Sequence, residues 1–135
     1  MSMHKDISGI SRSFVCAAKG LRHAYKVDKS FRLELQLGLP IYLLLGWLYS
    51  PMAPSELLFF VLSFVLILAV ELINTAFEKM LDKVHPEEHE LIGKSKDIAS
   101  AAVLLVFLFA VFVNLVLLYA HFCPNSPYSV AGGFV

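Results

Sequence analysis

The sequence predicts an all-helical membrane protein, and three observations support this prediction. Hydrophobic residues make up 58% of the 135-residue chain and charged residues only 16%, a composition unlike that of water-soluble domains. Three apolar segments each approach the roughly 20 residues that span a bilayer core as a helix. The basic residues are confined to two stretches of the chain. We therefore predict one integral-membrane domain, 1–135, with spans at 33–54, 56–80 and 97–122.

The first two predicted spans differ in how regular they are. Pro40 and Gly46 interrupt the apolar pattern of the first span, although membrane helices tolerate both residue types better than soluble helices do. The second span contains an uninterrupted run of uncharged, mostly large apolar residues from Leu57 to Val70. The chain is therefore expected to cross the membrane three times.

The segment 5–27, ahead of the first span, has the pattern of an amphipathic helix. Lys5, Arg12, Lys19 and Lys26 recur every seven residues. They lie beside an apolar stripe with three- and four-residue spacing, formed by Ile7, Ile10, Phe14, Ala17, Leu21 and Tyr25. Next to a membrane, such a helix is expected to lie in the interface with its apolar face toward lipid. The alternative is a soluble helix that packs as a cap on another helix.

The distribution of Lys and Arg predicts the topology. Seven basic residues precede the first span, four lie between residues 79 and 96, and the tail 123–135 has none. By the positive-inside rule, the N-terminus and the predicted loop 81–96 face the cytoplasm and the loose, turn-rich tail lies outside. No secretory signal peptide is visible. Cys16 and Cys123 then lie on opposite sides of the membrane, so no disulfide is expected.

Two short motifs in the predicted cytoplasmic loop resemble functional ones but lack essential parts. "GKS" at residues 93–95 resembles the end of a phosphate-binding P-loop, but that motif needs a glycine where Glu88 stands. "HPEEH" matches a zinc-protease pattern, but Pro86 favours a helix start that leaves His85 outside the helix. A charged, solvated turn explains both motifs better.

The second span carries an unusual polar stripe near its cytoplasmic end. At 100° per residue, Glu71, Asn74, Glu78 and Asp82 fall within about 80° of one another, with Thr75 beside them. An isolated charge at the bilayer centre costs roughly 2.5 kcal/mol or more, whereas Asn and Thr bond helices together mildly. A packing stripe with protonated Glu71 would explain the amide and the hydroxyl but not three acids. The stripe therefore predicts a functional site.

The depth of each acid suggests its chemistry. Glu71 is the deepest and suits a general base for a hydroxyl that arrives from lipid. Glu78 lies about 10 Å closer to water and suits Mg²⁺, which prefers carboxylate oxygens and bridges to phosphates. Lys94 and Lys96 would neutralise phosphate charge. These roles describe a lipid kinase, but a proton- or ion-conducting oligomer with Glu71 as the carrier would show the same stripe.

Four linked motifs resemble one known family. They are "KGLRHAY", "FRLE", "ELINTAFE" followed by Asp82, and "HELIGKSKDIASAAVLL". In this order, across residues 9–122, they resemble the small prokaryotic diacylglycerol kinase family, which also contains undecaprenol kinases. The resemblance implies a homotrimer of three-span subunits with an interfacial N-terminal helix and active sites shared between neighbouring subunits. It also implies transfer of the ATP γ-phosphate to a membrane lipid alcohol at the bacterial inner membrane.

The resemblance further implies roles for individual residues. Glu71 takes the catalytic base, and Asp28, where the family usually has Glu, joins Glu78 in binding Mg²⁺. Asn74 either orients Glu71 or serves only to pack helices. Nucleotide contacts are implied for Asp28, Glu78, Glu87, Glu88, His89, Lys96 and Asp97. Lipid contacts are implied for Arg22, Tyr25, Phe31, Arg32, Glu34, Trp47, Glu71 and Ser100, although Trp47 also suits an aromatic belt at the outer interface.

The substrate prediction depends on resemblance alone. The glutamate of "FRLE" and the "HELIGKSKD" segment resemble the diacylglycerol branch more than the polyprenol branch. We therefore expect phosphorylation of diacylglycerol to phosphatidic acid, with undecaprenol as the alternative substrate. ATP, Mg²⁺ and the bilayer are the expected partners, and no nucleic acid is expected.

Overall fold

The computed structural model describes residues 3–84 and 89–123, with side chains described from residue 10 onward, and the regular structure in this part of the chain is helical. The helices are α1 (Met3–Val27), α2 (Lys29–Leu33), a π-helical turn (Glu34–Gly38), α3 (Leu39–Leu48), α4 (Pro54–Val84) and α5 (Glu90–Phe122). The α2 helix, the π-helical turn and α3 follow one another without a break.

Three helical segments are long and apolar enough to cross a membrane: Lys29–Leu48, Pro54–Val84 and Glu90–Phe122, with 20, 31 and 33 residues. This result confirms the predicted all-helical, three-span class. Since roughly 20 residues span the hydrocarbon core, α4 and α5 are long enough to extend into the polar interface or beyond it. The position of α1 at the membrane surface stays a prediction.

The first helical span lies closer to the N-terminus than the predicted span 33–54. It ends at Leu48, and residues 49–53 connect it to α4. Hydropathy extended the predicted span through this connection because Tyr49 and Met52 are apolar. Pro51 and Pro54 oppose a continuous helix there, since the residue before a proline is driven away from helical geometry.

The predicted loop 81–96 is helical at both of its ends, because α4 continues to Val84 and α5 begins at Glu90. The α5 start is stabilised by His89, whose Nδ1 accepts the backbone N–H of Leu91 at 3.2 Å. Hydropathy marks where the apolar residues end, but a helix can extend past that point into water when its end is capped. The helices α4 and α5 are therefore longer than the predicted spans 56–80 and 97–122.

The π-helical turn explains how the first span passes Pro40. Proline has no backbone N–H to donate within a helix. One residue earlier, the N–H of Leu39 donates to the carbonyl of Glu34, five residues back instead of four. Gly46 serves packing: a Cβ there would lie 3.2 Å from Cε1 of Phe60, so glycine lets α3 approach α4 closely.

Helices α4 and α5 pack along each other, and α3 joins them through aromatic side chains. The buried cluster Tyr49, Phe60, Val113 and Leu117 lies at the end of the bundle away from α1. Most of the large apolar side chains on the three spans are exposed, as expected for surfaces that meet lipid or another protein chain.

A small polar network links the three spans at the level of Tyr42. The Asn114 Nδ2 donates to the Tyr42 hydroxyl at 3.1 Å and to the Ala110 carbonyl at 2.8 Å. The Tyr42 hydroxyl lies 3.3 Å from the fully buried Ser63 Oγ, and the Tyr49 hydroxyl donates to the Asn114 carbonyl at 3.3 Å. These bonds join α3, α4 and α5 in a fixed register.

We predict that Asn114→Leu lowers the free energy of unfolding by about 0.5–1.5 kcal/mol, because interhelical hydrogen bonds in membranes contribute modestly. The measurement is unfolding in mixed micelles with increasing denaturing detergent. Tyr42→Phe removes only the hydroxyl, so the pair forms a double-mutant cycle in which the two losses are expected to be non-additive. Fully additive losses would show that the Asn114–Tyr42 bond contributes nothing.

Candidate active site

Four polar residues of the predicted stripe follow one face of α4. Glu71 and Thr75 are buried, at 4% and 6% exposure, while Asn74 and Glu78 are half-buried. The Thr75 Oγ1 contacts the carbonyl of Glu71 at 2.9 Å, one turn earlier. The buried end of the stripe is thus packed against the first span, and Glu78 lies nearer the helix end.

Asp28 lies between α1 and α2 and connects both to α4. Its Oδ1 accepts the backbone N–H of Phe31 at 3.0 Å, which caps the N-terminus of α2. Its Oδ2 accepts a hydrogen bond from the Thr75 hydroxyl. The structure therefore brings the predicted metal carboxylate of the N-terminal region onto the α4 stripe.

Two adjoining openings meet at this stripe. The wide groove has a volume of about 450 Å³ and is lined by Ser30, Glu34, Glu71, Asn74, Glu78, Ser100, Val103, Leu104 and Phe107. The narrow cavity has a volume of about 170 Å³ and is lined by Val27, Asp28, Lys29, Ser30, Glu71, Asn74, Thr75, Glu78 and Lys79. Glu71 and Glu78 line both openings.

The two openings have different chemical character. The wide groove has an apolar wall from α5, made by Val103, Leu104 and Phe107, which suits hydrocarbon. The narrow cavity is lined almost entirely by polar groups, which suits a charged ligand. Glu71 lies where an apolar ligand and a polar one would meet.

Buried polar atoms without partners face this region. Glu34 Oε2 and Asn74 Oδ1 have no hydrogen-bond partner within the described chain, and both residues line the wide groove. Because leaving such groups unpaired is costly, a hydroxyl-bearing ligand would be a favourable occupant. The Asn74 Nδ2 donates to Glu78 Oε1 at 3.3 Å. The orienting role predicted for Asn74 required a hydrogen bond to Glu71, and the observed side-chain partner is Glu78 instead.

The structure describes some, but not all, of the predicted nucleotide-contact residues around the start of α5. Lys96 forms an ion pair with Asp82, and Lys94 forms one with Glu90. His89 caps α5 and is exposed, as is Asp97. The predicted nucleotide contacts of His89, Lys96 and Asp97 stay predictions, and those of Glu87 and Glu88 fall outside the described residues.

The other predicted lipid-contact residues are spread more widely. Glu34 and Ser100 line the wide groove, with Ser100 on the α5 side. Arg22 is exposed on α1, Trp47 is 76% exposed on α3, and the Tyr25 hydroxyl accepts a hydrogen bond from Gln36 at 2.8 Å. Phe31 is buried and Arg32 is half-buried. Within a single chain, therefore, the structure brings Glu34, Glu71 and Ser100 together at the wide groove, and the other five do not line it.

The carboxylates present suit Mg²⁺ when substrate phosphates complete its coordination. Asp28 and Glu78 supply hard oxygen donors to the same narrow cavity. Among the described residues, three or more His, Cys, Asp or Glu side chains do not cluster into a closed metal site. Mg²⁺ commonly uses only one or two carboxylates together with phosphate and water, so this pair fits the ion.

Some features of the site were not predicted from sequence. Ser30, Lys29 and Lys79 line the narrow cavity. Thr75, predicted only as a neighbour of the stripe, bonds to Asp28. The position of Lys29 and Lys79 directly after Asp28 and Glu78 was a signal available in the sequence. The hydrogen bond between Thr75 and Asp28 joins residues 47 positions apart, and no sequence pattern indicates that they are in contact.

The fold and this site define a multi-pass helical membrane protein with a carboxylate-lined site where its three spans meet. The family model for prokaryotic diacylglycerol kinase matches residues 15–118. The chain is 35% identical over 123 residues to the diacylglycerol kinase of Escherichia coli K12, covering 89% of this chain and 99% of that protein. It therefore belongs to the prokaryotic diacylglycerol kinase family.

Two further relatives agree. The diacylglycerol kinase of Haemophilus influenzae is 34% identical over 90 residues, covering 64% of this chain and 72% of that protein. That of Helicobacter pylori J99 is 30% identical over 109 residues, covering 81% and 84%. Family membership confirms the predicted lipid-kinase class and decides against the ion-conducting alternative.

Proposed function

We propose that this protein transfers the γ-phosphate of ATP to diacylglycerol and forms phosphatidic acid. The observation that carries the proposal is the position of Glu71, which is buried and lines both the apolar-walled wide groove and the polar narrow cavity. A lipid hydroxyl from the groove and a nucleotide from the cavity would meet at its carboxylate.

Glu71 is the general base in the proposed reaction. Its carboxylate accepts the proton of the lipid hydroxyl as that oxygen bonds to the γ-phosphorus. The bond between this phosphorus and the bridging oxygen of ADP breaks in line, so ADP leaves with both electrons of that bond. Glu34 and Ser100, on the groove walls, orient the glycerol backbone by hydrogen bonds.

The nucleotide binds at the narrow cavity. Asp28 and Glu78 would hold Mg²⁺, and the bound ion would neutralise phosphate charge. The Thr75 hydroxyl and the Phe31 N–H fix the Asp28 carboxylate in place, and the Asn74 amide does the same for Glu78. Further contacts to the nucleotide come from the cytoplasmic side and are made by Glu87, Glu88, His89, Lys96 and Asp97.

The protein assembles as a homotrimer with active sites shared between neighbouring subunits. In the single chain, Leu104 and Phe107 on the α5 wall of the wide groove are 56% and 53% exposed, which leaves this wall open to lipid or to another subunit. The lipid site is completed in the assembly by residues that do not line the wide groove within one chain: Arg22, Tyr25, Phe31, Arg32 and Trp47.

The protein lies in the bacterial inner membrane with its N-terminus in the cytoplasm and its C-terminus outside. Asp28 bonds to Thr75 and Asp82 pairs with Lys96, so the junction of α1 and α2, the last part of α4 and the first part of α5 share one end of the bundle. The basic residues of the chain are confined to the stretches 5–32 and 79–96, which lead into and out of that end. Helix α1 lies in the interface, where exposed Phe14 meets lipid.

The test is a phosphotransfer assay with purified protein in mixed micelles, γ-labelled ATP and Mg²⁺. Diacylglycerol, undecaprenol and a sphingoid alcohol are offered separately and in competition. We expect labelled phosphatidic acid as the main product. Preferential labelling of undecaprenol would overturn the substrate assignment, and the absence of any labelled lipid would overturn the kinase proposal.

A further inference from the structure

Each of the two proposed metal carboxylates is followed directly by a lysine that lines the same narrow cavity. Lys29 follows Asp28 at the first position of α2, and Lys79 follows Glu78 near the end of α4. The two lysines therefore approach the cavity from different helices.

The charges of the cavity make these two cations significant. Asp28, Glu71 and Glu78 place three carboxylates on its walls. No described Lys, Arg or His side chain lies within 4.0 Å of a carboxylate oxygen in these three residues. A triphosphate brought beside them would meet strong repulsion, which one divalent cation only partly offsets.

The two lysines of α5, Lys94 and Lys96, already form ion pairs with carboxylates. Lys94 is paired with Glu90 and Lys96 with Asp82, so each begins with its charge compensated. Lys29 and Lys79, by contrast, are exposed and form no ion pair among the described residues. A lysine ammonium on its flexible four-carbon stem supplies three donors to a phosphate without first breaking an existing contact.

We infer that Lys29 and Lys79 form a two-helix phosphate clamp that binds the polyphosphate of ATP in the narrow cavity. This inference rests on the proposed function and adds two nucleotide-binding residues to it. The clamp sets nucleotide affinity and leaves the lipid side of the reaction unchanged, because neither lysine lines the wide groove.

The experiment measures steady-state kinetics of Lys29→Gln, Lys79→Gln and the double variant, varying Mg·ATP and diacylglycerol separately. Each single change is expected to raise the KM for Mg·ATP about tenfold, as the loss of a charge-assisted contact to phosphate would. The double variant is expected to show a larger rise, with kcat and the KM for diacylglycerol within twofold of wild type. Arginine at either position should largely restore the KM.

Lys83→Gln is the matched control, because Lys83 is exposed on α4 one turn beyond Lys79 and does not line the narrow cavity. Its KM for Mg·ATP is expected to stay at the wild-type value. An unchanged KM for Mg·ATP in the double variant would overturn the clamp. A fall in kcat together with a rise in the KM for both Mg·ATP and diacylglycerol would also overturn it, because that result would indicate a structural defect.

Nucleotide affinity is also measured without lipid, by displacement of a fluorescent ATP analogue with Mg·ATP in detergent micelles. Displacement should require about ten times more Mg·ATP in each single variant than in wild type. Equal displacement in all variants would overturn the clamp even if no lipid is phosphorylated. A wild-type protein that binds Mg·ATP but phosphorylates no lipid would overturn the proposed function alone.

Discussion

Glu71→Gln is expected to lower the rate of lipid phosphorylation by about 10²–10⁴-fold, the usual contribution of a general base. Glutamine keeps the shape and hydrogen-bonding capacity of the side chain but cannot accept the hydroxyl proton. Nucleotide affinity should change little, because Asp28 and Glu78 remain. The measurement combines single-turnover phosphotransfer with Mg·ATP displacement of a fluorescent analogue.

Glu56→Gln on the same helix is the matched control for this experiment. Glu56 Oε2 accepts the backbone N–H of Ala53 at 2.7 Å at the start of α4, far along the helix from Glu71. A glutamine carbonyl preserves that acceptor, so wild-type turnover is expected. Turnover that persists in Glu71→Gln would exclude Glu71 as the base.

Glu78→Gln is expected to raise the Mg²⁺ concentration needed for half-maximal rate at least about tenfold, since an ionised carboxylate is the stronger ligand for a hard cation. The Asn74 amide can still donate to the glutamine carbonyl, so the local geometry is preserved. The maximal rate at saturating Mg²⁺ should fall less than in Glu71→Gln. The measurement is rate against Mg²⁺ at constant free ATP.

Glu78→Asp should lie between the wild type and Glu78→Gln in this titration, because it keeps the charge but shortens the reach. Glu90→Gln is the control, since Glu90 is exposed at the start of α5 and its ion-pair partner among the described residues is Lys94. A normal Mg²⁺ dependence in Glu78→Gln would remove Glu78 from the metal site.

The sequence predicted the span number well because each apolar run has nearly the length that a bilayer requires. Helix ends were predicted less well. The turn at Glu34–Gly38 and the early stop at Leu48 depend on Pro40, Pro51 and backbone hydrogen bonds, which hydropathy does not register. Likewise, α5 begins at Glu90 because of its cap and not because of its apolarity.

The α4 part of the site was predictable because helical periodicity alone places Glu71, Asn74 and Glu78 on one face. Contacts between helices were not, since they depend on register. Lys96 of α5, for example, is paired with Asp82 of α4. Similarly, Asn114 was a visible amide in an apolar span, but only the structure gives its bond to Tyr42.

Aspartate at position 28 has a consequence for how the N-terminal helices are attached to the rest of the bundle. The carboxylate caps α2 and bonds to Thr75, and aspartate is a far better helix cap than glutamate. A longer side chain would reach further but would lose the cap. The shorter residue therefore joins the junction of α1 and α2 to α4, the helix that carries Glu71 and Glu78.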